Sequence, residues 1–419
     1  MLLYFNMNDF SYNTVKELDD QIGTPFYLMY PGVYQKNLES FLSAFKSRYD
    51  RVIAGYSFKT NYVPALCLKA KECGCYAEVV SQMEYDLAVR LGFNNIIFNG
   101  PIKKREVLCR AIERNSIINL DSEYEVDYII SYLKENPKKT IKVGLRINIM
   151  LTDNDGHSTI QCGLKSGRFG FTIDRVGHVI NRLKAAGIII NSLHGHTSSS
   201  NRVPVNYKVI SEQLLRICSS YNLNDLKYFD IGGGFFGAAP EGFDTSNKPS
   251  YADYANAILD TVLKDNWFKM IKPYIIIEPG ASVVSNVFDY ITKVYQTKDI
   301  GLIHYASVDG SVFDVKPTMH QYNMPFEIIS KDINNDKRRY NVVGSTCMEK
   351  DVILNDVEMP VVHYGDYVLI KGVGSYTISM TPIFINYLSP IIAVEEMNYS
   401  KVRNRQSIED VISIYEILQ

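Results

Sequence analysis

Lys59, in the run Tyr56-Ser-Phe-Lys-Thr-Asn61, presents a primary amine at the end of an apolar segment. An amine so placed forms a Schiff base with an aldehyde cofactor. Gly232, Gly233 and Gly234, in Asp230-Ile-Gly-Gly-Gly-Phe235, leave backbone N–H groups uncovered, which suits a phosphate. Glu278, in Glu278-Pro-Gly280, offers a carboxylate to a protonated ring nitrogen, the partner an electron-accepting pyridine needs. Glu78 and Ser81, Arg146, and the run Leu193-His-Gly-His-Thr-Ser-Ser199 fall in between. Taken singly, each has a plainer reading, since a terminal lysine is usually solvated and three glycines usually form a turn. Their weight comes from a shared position at the ends of successive segments.

Those segments form one repeating theme from about Arg51 to Glu278. Short β-branched runs at Val52-Ser57, Tyr76-Val80, Asn95-Phe98, Ile117-Leu120, Ile141-Ile147, Ile188-Leu193, Leu226-Ile231 and Tyr274-Ile277 read as strands. Met83-Leu91, Lys104-Arg114, Tyr124-Leu133 and Val205-Ser219 carry helical periodicity between them. Eight such units predict a closed (β/α)8 barrel, an α/β fold whose active site lies at the C-terminal strand ends. Beyond Glu278 the texture turns to strands, at Val283-Val294, Tyr340-Val343, Tyr367-Lys371 and Ile391-Glu395, which predicts an antiparallel β-barrel or sandwich domain. Thr24-Tyr30 is a further strand expected to pair with it. The expected division is an N-terminal strand region over 1–30, a barrel over 31–280 and a β-rich domain over 281–419.

At 419 residues, two domains are the default. A net charge of −2 argues against nucleic acid or an anionic membrane as the main partner. The opening MLLYFNMNDF lacks a basic region and a small-residue cleavage site, so it does not read as a secretory signal. No apolar run approaches the roughly 20 residues of a membrane helix. The seven cysteines are odd in number and scattered, without a C-x-x-C pair, and the histidines show no H-E-x-x-H pattern. Reduced thiols in a cytoplasmic protein, with no metal centre, are the simpler expectation.

The motifs, in order, resemble the fold-type III pyridoxal 5′-phosphate decarboxylases of the diaminopimelate, ornithine and arginine group, over nearly the whole chain. Y-S-F-K-T-N, E-V-V-S-Q-M-E, L-H-G-H-T-S-S, D-I-G-G-G-F and E-P-G correspond to barrel motifs of that family, and V-D-G-S-V-F-D, G-S-T-C-M-E-K-D and G-S-Y-T-I-S-M to its β domain. The resemblance implies that Lys59 carries the cofactor aldehyde, that His196 stacks on its ring with His194 beside it, and that Glu278 keeps its nitrogen protonated. Gly232, Gly233, Gly234, Ser199 and Tyr376 correspond to the phosphate cradle, and Glu78 and Arg146 to supporting positions. Cys347 corresponds to the thiol that returns a proton to Cα, contributed by the opposite subunit. A homodimer with shared active sites is thereby implied. Without the resemblance, Cys347 reads as a small apolar residue.

Departures concentrate on substrate recognition. Ala281 stands where E-P-G-R has an arginine, with Arg168 and Arg202 as possible substitutes. R-P-x-L-Y of the diaminopimelate enzymes appears as Lys316-Pro-Thr-Met-His320, and C-E-S-G-D as Cys347-Met-Glu-Lys-Asp351. Met348 thus occupies the position of an acid that would meet a distal ammonium, which a thioether cannot replace; Glu349, one residue on, is the alternative acid. The expected substrate is an amino acid other than meso-diaminopimelate or ornithine. A glutamate-like, phosphorylated or carrier-linked one in a specialised biosynthetic pathway would suit Lys316 and His320. Two other readings compete: a racemase on the same architecture, whose alanine-type members put arginine at the ring nitrogen where Glu278 stands, and an inactive binding relative, favoured by Ala281 alone.

Overall fold

A computed structural model describes residues 10–153, 155–332, 336–395 and 398–416; the opening residues 1–9, read above for a targeting signal, lie outside them. Strand β1 (Phe26–Met29) precedes β2 (Val52–Ser57), β3 (Tyr76–Val79), β4 (Ile96–Phe98), β5 (Ile117–Leu120), β6 (Lys142–Arg146), β7 (Ile189–His194), β8 (Tyr228–Asp230) and β9 (Tyr274–Ile277). β2 to β9 pair in parallel and in order, and β9 returns to β2 through Val52↔Ile275, closing an eight-stranded barrel. Helices bridge successive strands, as parallel pairing requires. Several start at side-chain caps: Ser81 accepts from the Glu84 N–H, and Ser250 forms a capping box with Asp253.

Alternation along the strands builds the barrel interior in layers. Ile53, Tyr76, Ile97, Ile117, Tyr228, Tyr274 and Ile276 pack into one apolar cluster. Residues from β4 and β8, on opposite sides of the barrel, meet only inside it. Two residues further along those strands come Gly55, Glu78, Asn99, Asn119, Asp230 and Glu278, on the same inner face and about 6.6 Å nearer the C-terminal rim. The barrel is plugged below and polar above.

The chain divides into two compact units. Gln35–Gly237 with Ser246–Val283 holds the barrel; Met1–Tyr34, Ala238–Thr245 and Val284–Gln419 form the other. In the second, β10 (Phe288–Ile300), β11 (Ile303–Val308), β12 (Phe326–Ile329), β13 (Lys337–Val343), β14 (Val352–Pro360), β15 (Tyr367–Ile370), β16 (Ile391–Glu395) and β17 (Asn398–Arg403) join β1. The path is β14-β13-β11-β10-β1-β16-β17, with β15 paired to β10 and β12. Pairing is mostly antiparallel, but β1–β16 and β11–β13 are parallel, which the pattern of short strands did not foretell.

Two expectations need correction. Val283-Val294 is not one strand: Ala281–Val284 is a helical turn, closed by Val283 N–H to the Gly280 carbonyl, and β10 begins at Phe288. The β-branched pair Val283-Val284 is overruled by the turn that follows Pro279-Gly280. Tyr12–Ile22, unassigned from sequence, is a helix capped by Ser11, whose Val15 and Leu18 pack against Phe26, Leu28, Tyr367 and Leu369. Among the described residues, no helix is long and apolar enough to cross a membrane.

Candidate active site

Lys59 sits in a single helical turn, Phe58–Thr60, directly after β2, and its side chain is one-third exposed. Its Nζ lies 3.4 Å from Glu78 Oε2 on the neighbouring strand. The same oxygen accepts from Ser57 Oγ at 2.6 Å, while Glu78 Oε1 accepts from Asn99 Nδ2 at 3.0 Å. Asn99 also donates to Glu278 Oε1 at 2.6 Å, so one amide links the carboxylate beside Lys59 to the one at the end of β9, on the other side of β2. Gly55 makes room for this: a Cβ there would stand 2.8 Å from Ile97 Cδ1 and in contact with Glu78 and Glu278.

Glu278 and Asp230 form a buried pair at the ends of β9 and β8. Asp230 Oδ1 accepts from the Gly232 N–H at 2.9 Å, and Oδ2 from Asn119 Nδ2 at 3.3 Å. Burial, and then the neighbouring Glu278 charge, push Asp230 well above the ordinary carboxylate range. Burial also raises Glu278, but Lys59, Asn99, Arg146 and a hydrogen bond from Asp230 pull the other way. Both carboxyls thus sit above the ordinary range, Asp230 the more strongly, and they titrate as a pair. His194 Nε2 lies 3.6 Å from Glu278 Oε1, and ligating atoms of His194, Asp230 and Glu278 fall within 4.8 Å of one another. Burial and the Arg146 cation hold His194 well below its ordinary pKa, as a neutral imidazole. Arg146 approaches Asp121 Oδ1 at 3.6 Å and donates to the His196 carbonyl at 3.2 Å.

His196 faces the glycine loop. Its Nδ1 accepts from the Gly233 N–H at 3.1 Å, which leaves the ring proton on Nε2, 3.4 Å from Ser198 Oγ. Burial, with Lys59 and Arg146 nearby, keeps it neutral. Its ring is parallel to that of His194, within 7°. Gly232 has φ +73°, and a Cβ there would lie 2.5 Å from His196 Cβ; at Gly233 it would lie 2.4 Å from the Glu278 carbonyl. Tyr207 donates to the Gly233 carbonyl at 3.1 Å, and Asn206 to Ser199 Oγ at 2.9 Å. Tyr254 OH accepts from Phe236 N–H and donates to the Arg202 carbonyl, tying the Ser199–Arg202 segment to the end of the glycine loop. The Arg168 guanidinium stacks over Phe169.

Lys59, Glu78, Arg146, His194, His196, Ser199, Gly232, Gly233, Gly234 and Glu278 thus share the C-terminal side of the barrel. Asn99, Asp230, Asn119 and Ser57 were not singled out from sequence. Their signal was a polar residue at an inward position of an otherwise apolar strand, such as Asn119 in Ile117-Ile-Asn-Leu120. Both His194 nitrogens, Arg146 Nε and Asn119 Oδ1 are buried without hydrogen-bond partners among the described residues. Buried polar groups call for partners. With an amine, a carboxylate, a neutral imidazole and glycine N–H groups around them, they fit a polar aromatic aldehyde bearing a phosphate.

The other expected residues belong to the β unit. Cys347 and Glu349 are exposed, Met348 partly buried, and Tyr376 exposed with φ +56°. Lys316 is only 5% exposed, and among the described residues its ammonium has no hydrogen bond or ion pair. His320 stacks on Tyr322 with centroids 3.6 Å apart.

Residues 35–285 match the family described as "Pyridoxal-dependent decarboxylase, pyridoxal binding domain". The chain belongs to this family. It is a pyridoxal phosphate-dependent amino-acid decarboxylase, and pyridoxal phosphate is its cofactor. Among curated relatives it is 28% identical over 415 residues to the diaminopimelate decarboxylase of Methanocaldococcus jannaschii, covering 95% of this chain and 92% of that one. It is 26% identical over 408 residues to the probable chloroplastic diaminopimelate decarboxylase of Oryza sativa subsp. japonica, covering 94% and 80%. Among solved structures, the M. jannaschii enzyme with L-lysine superposes with a TM-score of 0.84 at 26% identity, covering 96% of this chain and 94% of that one.

Proposed function

We propose that this decarboxylase acts on an amino acid with an anionic distal group, and not on meso-diaminopimelate or ornithine. Lys316 carries the proposal: the residue is 5% exposed and its ammonium makes no hydrogen bond or ion pair among the described residues, which leaves it available to an anion. L-lysine, bound by the M. jannaschii relative, ends in an ammonium, which requires an acid; the thioether of Met348 offers none. His320, beside Lys316, adds a donor for a carboxylate or phosphate. A free or carrier-linked substrate of that kind suits the pair equally.

In this reading, Lys59 binds the cofactor aldehyde and Glu78 orients its amine. Glu278 holds the ring nitrogen protonated, with its own charge secured by Asn99 and Asp230. His196 would meet the cofactor ring, and Arg146 fixes the His196 backbone. Gly232, Gly233, Gly234, Ser199 and Tyr376 bind the phosphate without the arginine that Ala281 replaces. Bound pyridoxal phosphate supplies the electron sink for the charge left when carbon dioxide departs. Cys347 returns a proton to Cα. The protein works as a homodimer with shared sites, in keeping with exposed Tyr376, Met380, Ile383, Phe384, Ile385 and Tyr387, an apolar stretch suited to a second copy.

Purified protein given pyridoxal phosphate should gain a visible absorption band that Lys59→Ala lacks. A carbon dioxide release screen over amino acids, with chiral analysis of what remains, should select acidic or phosphorylated side chains. Ordinary turnover of meso-diaminopimelate or ornithine would overturn the substrate reading. Sedimentation as a monomer at micromolar concentration would overturn the dimer.

A further inference from the structure

Three motif segments of the β unit converge on one helix of four residues, Val312–Val315. Asp351, at the end of the Cys347 loop and 3% exposed, reaches its start: Oδ1 accepts from the Val312 N–H at 2.6 Å and from Ser311 Oγ at 3.4 Å. Its other oxygen accepts from the Thr346 N–H at 3.0 Å and Thr346 Oγ1 at 2.6 Å, immediately before Cys347. Ser345 adds an N–H bond to the Gly310 carbonyl at 2.9 Å. At the far end of the helix, Thr377 and Thr381 donate to the Val315 and Phe313 carbonyls at 3.3 and 3.1 Å, which moors the segment bearing Tyr376. Lys316 follows the helix directly, its N–H on the Val312 carbonyl.

We propose that Asp351 is a positioning residue, whose carboxylate locks the Cys347 loop to this helix and so fixes Cys347 relative to Lys316 and Tyr376. Its catalytic importance rests on the reading of Cys347 as proton donor; the clamp itself does not. A buried carboxylate spanning two segments with four donors has no slack, because each oxygen serves a different segment. An amide in its place presents an NH2 where one oxygen had accepted, and releases one of the two segments.

Iodoacetamide labelling read by mass spectrometry tests the clamp on the full chain, with exposed Cys162 as reference in the same molecule. Asp351→Asn should raise Cys347 labelling relative to Cys162 by about threefold or more, as the already exposed thiol gains freedom once its loop is released from the helix. Thr346→Val, which removes one donor, should raise it less. Asp366→Asn, at a buried carboxylate elsewhere in the unit that accepts from the His363 N–H, should leave the ratio unchanged even where it lowers the melting temperature. An unchanged ratio in folded Asp351→Asn, or an equal rise in Asp366→Asn, overturns the clamp. Should Asp351→Asn not fold, Thr346→Val decides on the same ratio. The donor role is judged separately: full turnover by Cys347→Ser on the substrate chosen in the carbon dioxide screen would remove it and leave the labelling result standing.

Discussion

Asn99 Nδ2 lies 2.6 Å from Glu278 Oε1, at a sequence separation of 179. The same amide also serves Glu78 at 3.0 Å, so one neutral donor is shared by two buried carboxylates. Replacing it with leucine leaves both short of a partner. A hydrogen bond to a charged group contributes about 1.5–3 kcal/mol, so Asn99→Leu should weaken cofactor binding by roughly 10–100-fold. Titration of the visible band with pyridoxal phosphate measures it; binding within twofold of wild type would refute the bridge.

Gly233→Ala should be worse for the cofactor than for the fold. The added Cβ meets the Glu278 carbonyl at 2.4 Å, so the glycine loop must move away from that strand end. Loss of the visible band with retained far-ultraviolet circular dichroism is the expected result. A variant that binds pyridoxal phosphate normally would show that the loop is not a close-packed cradle.

Lys316→Met should trade function for stability. Replacing a largely buried lysine whose ammonium is partly desolvated should raise the melting temperature, while KM for an anionic substrate rises by at least about tenfold with the loss of a charge-assisted contact. Unaltered KM would remove Lys316 from substrate recognition.

The stability contributed by three buried carboxyls should fall as pH rises through the weakly acidic range, opposite in sign to that of the neutral His194 and His196. Burial pushes the Glu84 carboxyl from 4.5 up to about 7, and Asp289 and Asp314 from 3.8 up to about 6. Each holds its proton longer folded than unfolded. The stability so gained is complete below the unfolded pKa and is lost as pH rises through the folded one. For Glu84 the difference amounts to about 3 kcal/mol. Glu84→Gln keeps the acceptor for the Val80 N–H, bonded at 2.7 Å, and should be more stable than wild type at pH 8 but not at pH 4. Urea unfolding at both values tests the sign.

The eight barrel strands, and the amine, glycines and carboxylate at their ends, were legible from sequence because they depend on local rules. A strand repeats every two residues, so Tyr76 and Glu78, or Ile276 and Glu278, declare an apolar plug and a polar rim within one short segment. The β unit was less legible. Val283-Val284 has strand-forming side chains yet lies in a helical turn, and β1 reaches its partners β10 and β16 across more than two hundred residues. Only the closed barrel could bring Asn99 to Glu278 or crowd Asp230 until its pKa rose, since those energies depend on distance and burial that no segment carries alone. The same holds for Asp351. Its type was written in the chain, but its four donors come from two segments that meet only in the folded sheet.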